Sequence, residues 1–146
     1  FEGIRIVTVG RLSEEKGQDI IPPIAAKLKE NGINFRWYLI GDGKLRPTIE
    51  AQCKKYGVDE EIVFLGVQAN PYPYLKEADI YVQTSKHEGF CITLAEAKAF
   101  DLPIISTDCA GAHEQLDERK NCKVVKRDTD VISQSVFSVV MRDQKE

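Results

Sequence analysis

The chain has 146 residues, 42% of them apolar and 29% charged, with a formal net charge of −3 at pH 7. That length allows one domain with a real core and is short for two, and the acidic balance argues against a nucleic-acid binder, which needs a basic face. No apolar run approaches the roughly 20 residues that span a bilayer, and the start carries no signal-peptide pattern.

In chain order, the β-branched run from Ile4 to Val9 predicts a parallel strand covered on both faces. Gly10-Arg11-Leu12 and a polar loop to Lys16-Gly17 follow. A helix then runs to about Asn31, with Ile20, Ile21, Ile24, Ala25 and Leu28 as its apolar face. Pro22 and Pro23 fit only its first turn, and Asn31-Gly32 stops it. A second strand is expected from Phe35 to Ile40, closed by Gly41-Asp42-Gly43, and a helix from Arg46 to Tyr56, stopped by Gly57. A third strand at Ile62 to Leu65 leads to a short helix from Tyr72 to Ala78. Beyond lie a strand at Ile80 to Val82, a helix from about Thr93 and a strand from Pro103 to Ser106. A helical turn around His113 to Leu116, a strand from Cys122 to Val125 and a helix from about Val131 to Met141 complete the chain.

Strands alternate with helices throughout, without repeats, linkers or low-complexity stretches. Short connections in that order imply right-handed βαβ units, hence an α/β fold. The expected form is a Rossmann-like parallel sheet of about six strands with helices on both faces. Ligands of such sheets bind beyond the carboxyl ends of the strands, near the topological switch point. The loops at Arg11 to Lys16, Gly41 to Lys44, Gly66 to Pro71, Ser85 to Ile92 and Thr107 to Ala112 all follow strands and would crowd that rim.

The stretch from His87 to Phe100 carries the clearest chemistry. Glu88 and Glu96 are separated by seven residues, and Gly89, Phe90 and Cys91 directly follow the first. The pattern is a strand-to-helix turn with one carboxylate in the turn and another just inside the helix. A helix N-terminus offers unpaired backbone amides and a positive dipole end, which suit a phosphate. Carboxylates beside it suit sugar or ribose hydroxyls, so the stretch reads as a nucleotide-sugar site. Thr93 to Glu96 also matches a capping box, an explanation of Glu96 that needs no ligand. Arg11 and Lys16, near the same rim, would neutralise a diphosphate.

Other features read more plainly. Asp128-Thr129-Asp130 has the spacing of a divalent-metal pair, but it follows a strand and opens a helix, so N-capping accounts for it. Gly41-Asp42-Gly43 is a tight turn and lacks the dinucleotide pattern. His87 and His113 are isolated. The four cysteines, Cys53, Cys91, Cys109 and Cys122, form no Cys-x-x-Cys pair and read as reduced thiols rather than zinc ligands. Cys91 starts a helix, where a thiol pKa can fall, but no base partner is evident.

From Val9 to about Val125 the chain resembles the C-terminal, donor-binding domain of retaining GT-B glycosyltransferases. These belong to the large glycogen synthase and sucrose synthase-like "glycosyl transferases group 1" family. The matching residues are Gly10-Arg11-Leu12 with Lys16-Gly17-Gln18-Asp19, Ile40-Gly41-Asp42-Gly43, Phe64-Leu65-Gly66, and Glu88-Gly89-Phe90 with Glu96-Ala97. Gly111 with Glu114, and Asn121 ahead of an apolar strand, fit more loosely. Cys91 and Cys122 depart from the pattern, standing where the family often has glycine.

The resemblance implies roles. Arg11, Lys16 and Glu88 would be the catalytic groups, the two cations beside Gly10 holding the donor diphosphate and stabilising charge as the nucleotide leaves. Amides from Ile92, Thr93 and Leu94 would bind the same phosphates, and Glu96 the ribose hydroxyls. Glu88, Gly89, Phe90 and Cys91 would hold the transferred sugar, and the base would lie by Leu65. Implied partners are a UDP-, GDP- or ADP-linked sugar and a sugar or lipid-linked acceptor, with no metal, no other cofactor and no nucleic acid. The chain starts at Phe1 and is expected to be one half of a GT-B fold, its N-terminal acceptor domain absent, from a cytoplasmic parent, peripheral at the inner face of the membrane. Such a fragment would bind donor weakly and transfer nothing. A non-catalytic nucleotide-sugar binding module, or half of a GT-B type epimerase or a phosphorylase, is the alternative; a phosphorylase would need a pyridoxal lysine, for which no motif is present.

Overall fold

The structure, a computed structural model, describes residues 1–86, 92–108, 112–116 and 121–144, with backbone alone at Ile92, Glu114, Asp143 and Gln144. The strands are β1 (Ile4–Val9), β2 (Phe35–Ile40), β3 (Ile62–Gly66), β4 (Ile80–Gln83), β5 (Ile104–Thr107) and β6 (Cys122–Val125). The helices are α1 (Ile21–Glu30), α2 (Arg46–Lys55), α3 (Tyr72–Glu77), α4 (Ile92–Ala99), α5 (Ala112–Leu116) and α6 (Thr129–Gln144). The strands form one sheet in the order β3-β2-β1-β4-β5-β6, every pairing parallel. The order reverses between β1 and β4, so all six strands end on one rim with the switch point at its centre.

Alternation along the strands splits the core in two. Ile6, Phe35, Trp37, Leu39, Ile80, Val82 and Ile105 point to one face, where they meet Ile24 and Leu28 of α1, Ile49 and Cys53 of α2, and Ile132 and Val136 of α6. Val7, Ile40, Tyr81 and Ile104 point to the other, under Leu75 of α3, Leu94 and Ala97 of α4, and Ala112 and Leu116 of α5. β1 and β4 are therefore covered on both sides, which is why they read as mostly apolar runs.

Most expected boundaries fall within two residues of the observed ones. A short 3-10 turn, Gln18–Ile20, precedes α1 and was not foreseen. Pro22 and Pro23 do sit in the first turn of α1. α6 starts at Thr129 rather than Val131, because the Asp128 carboxylate accepts the amides of Asp130 at 2.9 Å and Val131 at 3.1 Å. This is the N-cap expected from the Asp-x-Asp spacing. Asp130 is engaged by Lys27 Nζ at 2.7 Å. Cys53 and Cys122 are free thiols, and burial pushes the Cys53 thiol up to about 11. Among the described residues no helix is long and apolar enough to cross a membrane.

Asp128→Ala is expected to lower unfolding stability by about 1 kcal/mol, whereas Asp128→Asn keeps a capping oxygen and most of that stability. Urea denaturation of both variants checks this; equal losses would contradict the capping role.

Candidate functional site

The rim at the switch point is assembled from backbone groups that have run out of sheet partners. The loop after β1 is fastened to the loop after β2. Gly10 donates its amide to the Ile40 carbonyl at 2.9 Å, Leu12 to Asp42 at 3.1 Å, and Leu45 to Leu12 at 3.2 Å. A side chain on Gly41 would run into the Gly10 carbonyl, so this close approach requires glycine. Buried Gln18 clamps the same loop from below, donating Nε2 to the Arg11 carbonyl at 2.8 Å and accepting the Ser13 amide at 3.4 Å.

A ladder of buried polar side chains continues across the centre. The Val9 amide donates to the Tyr81 hydroxyl at 3.2 Å, and that hydroxyl donates to Gln83 Oε1 at 3.0 Å. Gln83 Nε2 donates to Ser85 Oγ at 2.7 Å, and Thr107 Oγ1 to the Ser85 carbonyl at 2.6 Å. Gln83, Thr84, Ser85 and Thr107 are each no more than 2% exposed. Such groups stay buried only when hydrogen-bonded.

On this frame, Arg11 and Lys16 line one recess of about 470 Å³ together with Ser13, Glu14 and Glu15. Arg11 also borders a second recess of about 530 Å³ toward Asp42 and Lys44. Arg11 is exposed, and its guanidinium has no partner among the described residues. The loop meets the end of β4 directly: Lys86 donates its amide to Glu15 at 2.9 Å, and Thr84 Oγ1 donates to the Lys16 carbonyl at 3.1 Å. Leu65 lies at the end of β3, half-buried against the second core, its carbonyl accepting Gln68 Nε2 at 2.8 Å.

α4 holds the remaining expected residues. Ile92 is its first residue, Thr93 is half-buried, and Leu94 is fully buried in the second core, leaving only its backbone for a ligand. Because the helix starts at Ile92, Thr93 lies inside it and is not an N-cap, so the capping box with Glu96 is not formed. The half-buried Glu96 carboxylate has no partner among the described residues. Glu88, Gly89, Phe90 and Cys91 lie outside the described residues, as do His87, Cys109 and Gly111. His113 is not isolated as expected: its Nε2 is 3.2 Å from Asp108 Oδ1 at the exposed end of β5.

Comparison with known proteins identifies the fold's family. The sequence profile described as glycosyl transferases group 1 matches residues 2–140. The chain belongs to that family. An uncharacterized glycosyltransferase of Methanocaldococcus jannaschii is 34% identical over 103 residues, covering 70% of this chain and 25% of that protein. The lipopolysaccharide 1,6-galactosyltransferase of Salmonella typhimurium is 30% identical over 105 residues, 69% of this chain and 29% of that one. HepE of Anabaena, solved in complex with UDP, shares the fold with a TM-score of 0.88 at 21% identity, over 98% of this chain and 40% of its own. This glycosyl transferases group 1 chain thus spans about a quarter to two fifths of the length of those proteins.

Sequence reasoning in this family member missed the supports rather than the rim. Gln83 and Thr107 were given no role, although polar residues closing apolar strands are the available signal, and Gln18 was given only a place in the matched motif. Gln18→Glu is expected to lower stability by about 1–3 kcal/mol near neutral pH, since a carboxylate would face the Arg11 carbonyl. The new carboxyl would have a raised folded-state pKa, so the loss grows as pH rises above the unfolded value of about 4.3. Denaturation midpoints between pH 4 and 7 relative to wild type test this; a pH-independent difference would contradict it.

Proposed function

We propose that the chain is the donor-binding half of a retaining glycosyltransferase, which moves a sugar from a nucleoside diphosphate to a polysaccharide, glycolipid or other sugar acceptor. The observation that carries this is the common recess of Arg11 and Lys16 on a rim loop bonded to the end of β4. Family membership supplies the reaction class, and the activities in the names of relatives point the same way: the Salmonella protein is a galactosyltransferase and HepE was solved with UDP.

In this reading the donor diphosphate lies against the recess. Arg11 forks onto two phosphate oxygens and Lys16 supplies a point charge. Negative charge grows on the phosphate as the bond to the anomeric carbon breaks, and fixed cations lower that barrier more than they stabilise bound substrate. Two cations and the α4 amides are enough for this, so no metal is invoked. Glu14 and Glu15 in the same recess limit its net charge and disfavour indiscriminate anion binding. Glu96 takes the ribose hydroxyls, Glu88, Gly89, Phe90 and Cys91 take the sugar, and the base lies by Leu65. The acceptor comes from an N-terminal domain on the other side of a cleft, in a cytoplasmic parent that meets the membrane peripherally.

Calorimetry with uridine, guanosine and adenosine diphosphates tests the reading. One of them is expected to bind weakly, with affinity unchanged by EDTA, and Arg11→Ala and Lys16→Ala are each expected to weaken it by about tenfold. Absence of binding by all three would contradict the proposal, as would sugar transfer by the chain alone. Glu96→Gln is expected to weaken binding without lowering the thermal midpoint; the reverse pattern would make Glu96 structural.

A further inference from the structure

Arg127 lies just past β6, at the far edge of the sheet, yet its guanidinium reaches back across β5 and β4. Nε donates to the Thr84 carbonyl at 3.1 Å, and Nη2 to the Gly17 carbonyl at 3.0 Å and to Asp19 Oδ1 at 3.1 Å. Three segments that are distant in sequence are thereby joined: residues 17–19 between the Lys16 loop and α1, the end of β4, and the stretch after β6. The approach is close enough that a Cβ on Gly17 would lie 2.5 Å from the Thr84 carbonyl and 2.8 Å from Arg127 Nη2. Beneath the guanidinium, Thr84 Oγ1 holds the Lys16 carbonyl and the Lys86 amide holds Glu15.

We infer that Arg127 is a positioning residue, whose guanidinium locks the backbone of Lys16 and Gly17 to the end of β4 and so sets how tightly a nucleoside diphosphate is held, without touching it. The inference rests on the phosphate reading of Arg11 and Lys16. The carbonyls of Lys16 and Gly17 are both fixed, so the Lys16 side chain starts from a defined point. Thr84 follows β4 directly, so the same lock fixes the Lys16 backbone against the carboxyl end of that strand. A planar fork bridges several acceptors at once, which the point charge of lysine does less well.

The test is calorimetric titration of the chain with whichever of uridine, guanosine and adenosine diphosphate it binds, for wild type, Arg127→Met, Arg127→Lys, Lys16→Ala and the Arg127→Met/Lys16→Ala pair. Arg127→Met is expected to weaken binding about tenfold, and Arg127→Lys to fall between it and wild type. The pair should bind about as Lys16→Ala does, because Arg127 acts through Lys16. Should Arg127→Met fail to fold, Arg127→Lys with its own Lys16→Ala pair closes the same cycle. Wild-type affinity in the Arg127 variants while Lys16→Ala is weakened would overturn the inference alone, as would fully additive losses. Lys16→Ala binding as tightly as wild type would instead overturn the phosphate reading and this role with it.

Discussion

Where neighbouring parallel strands end and diverge, their last peptide groups lose sheet partners while remaining out of water, and each must find a substitute. That requirement shapes the centre of this molecule. At the parting of β1 and β4 the substitutes are side chains: Tyr81 for the Val9 amide, Gln18 for the Arg11 carbonyl, Arg127 for the carbonyls of Gly17 and Thr84, and Thr107 for that of Ser85. An unmade hydrogen bond at any of them leaves a desolvated group costing about 1–3 kcal/mol. The rim is consequently built from connected polar contacts rather than loose loops.

A rim braced in this way lets cations face outward at low cost. The backbone that carries Arg11 and Lys16 is bonded to Asp42, Gln18, Thr84 and Arg127, so its course does not depend on their charged ends alone. The Arg11 guanidinium has no partner among the described residues, and the braced groups around the recess need not reorganise as charge moves. The opposite rim is different in kind. There Arg5 is held by Glu77 and the Phe1 carbonyl, and Arg36 lies over the Phe1 ring.

The sequence was most readable where local rules act alone. A mostly apolar, β-branched run announced β1, glycine after Asn31 and Tyr56 announced helix ends, and Asp128 announced a cap. Of the motif residues, Gly10, Arg11, Lys16, Leu65 and the start of α4 lie on the expected rim, because parallel strands leave little choice. Long-range pairing was unreadable: nothing local to Arg127 says that it meets Gly17, 110 residues away. Thr93 misled because a capping box depends on a helix boundary that shifts by a residue or two, and here the helix begins one residue earlier. His113 misled because its partner Asp108 is close only once β5 and α5 are folded together.

The central claim is that a nucleoside diphosphate seats on the carboxyl rim, between the β1 loop and the start of α4. Amide NMR of the isotopically labelled chain titrated with uridine diphosphate tests it most directly. The account predicts shifts concentrated at residues 10–17 and 84–94, with residues on the opposite rim, among them Arg5 and Arg36, unmoved. Shifts concentrated at that opposite rim, with residues 10–17 unaffected, would contradict it.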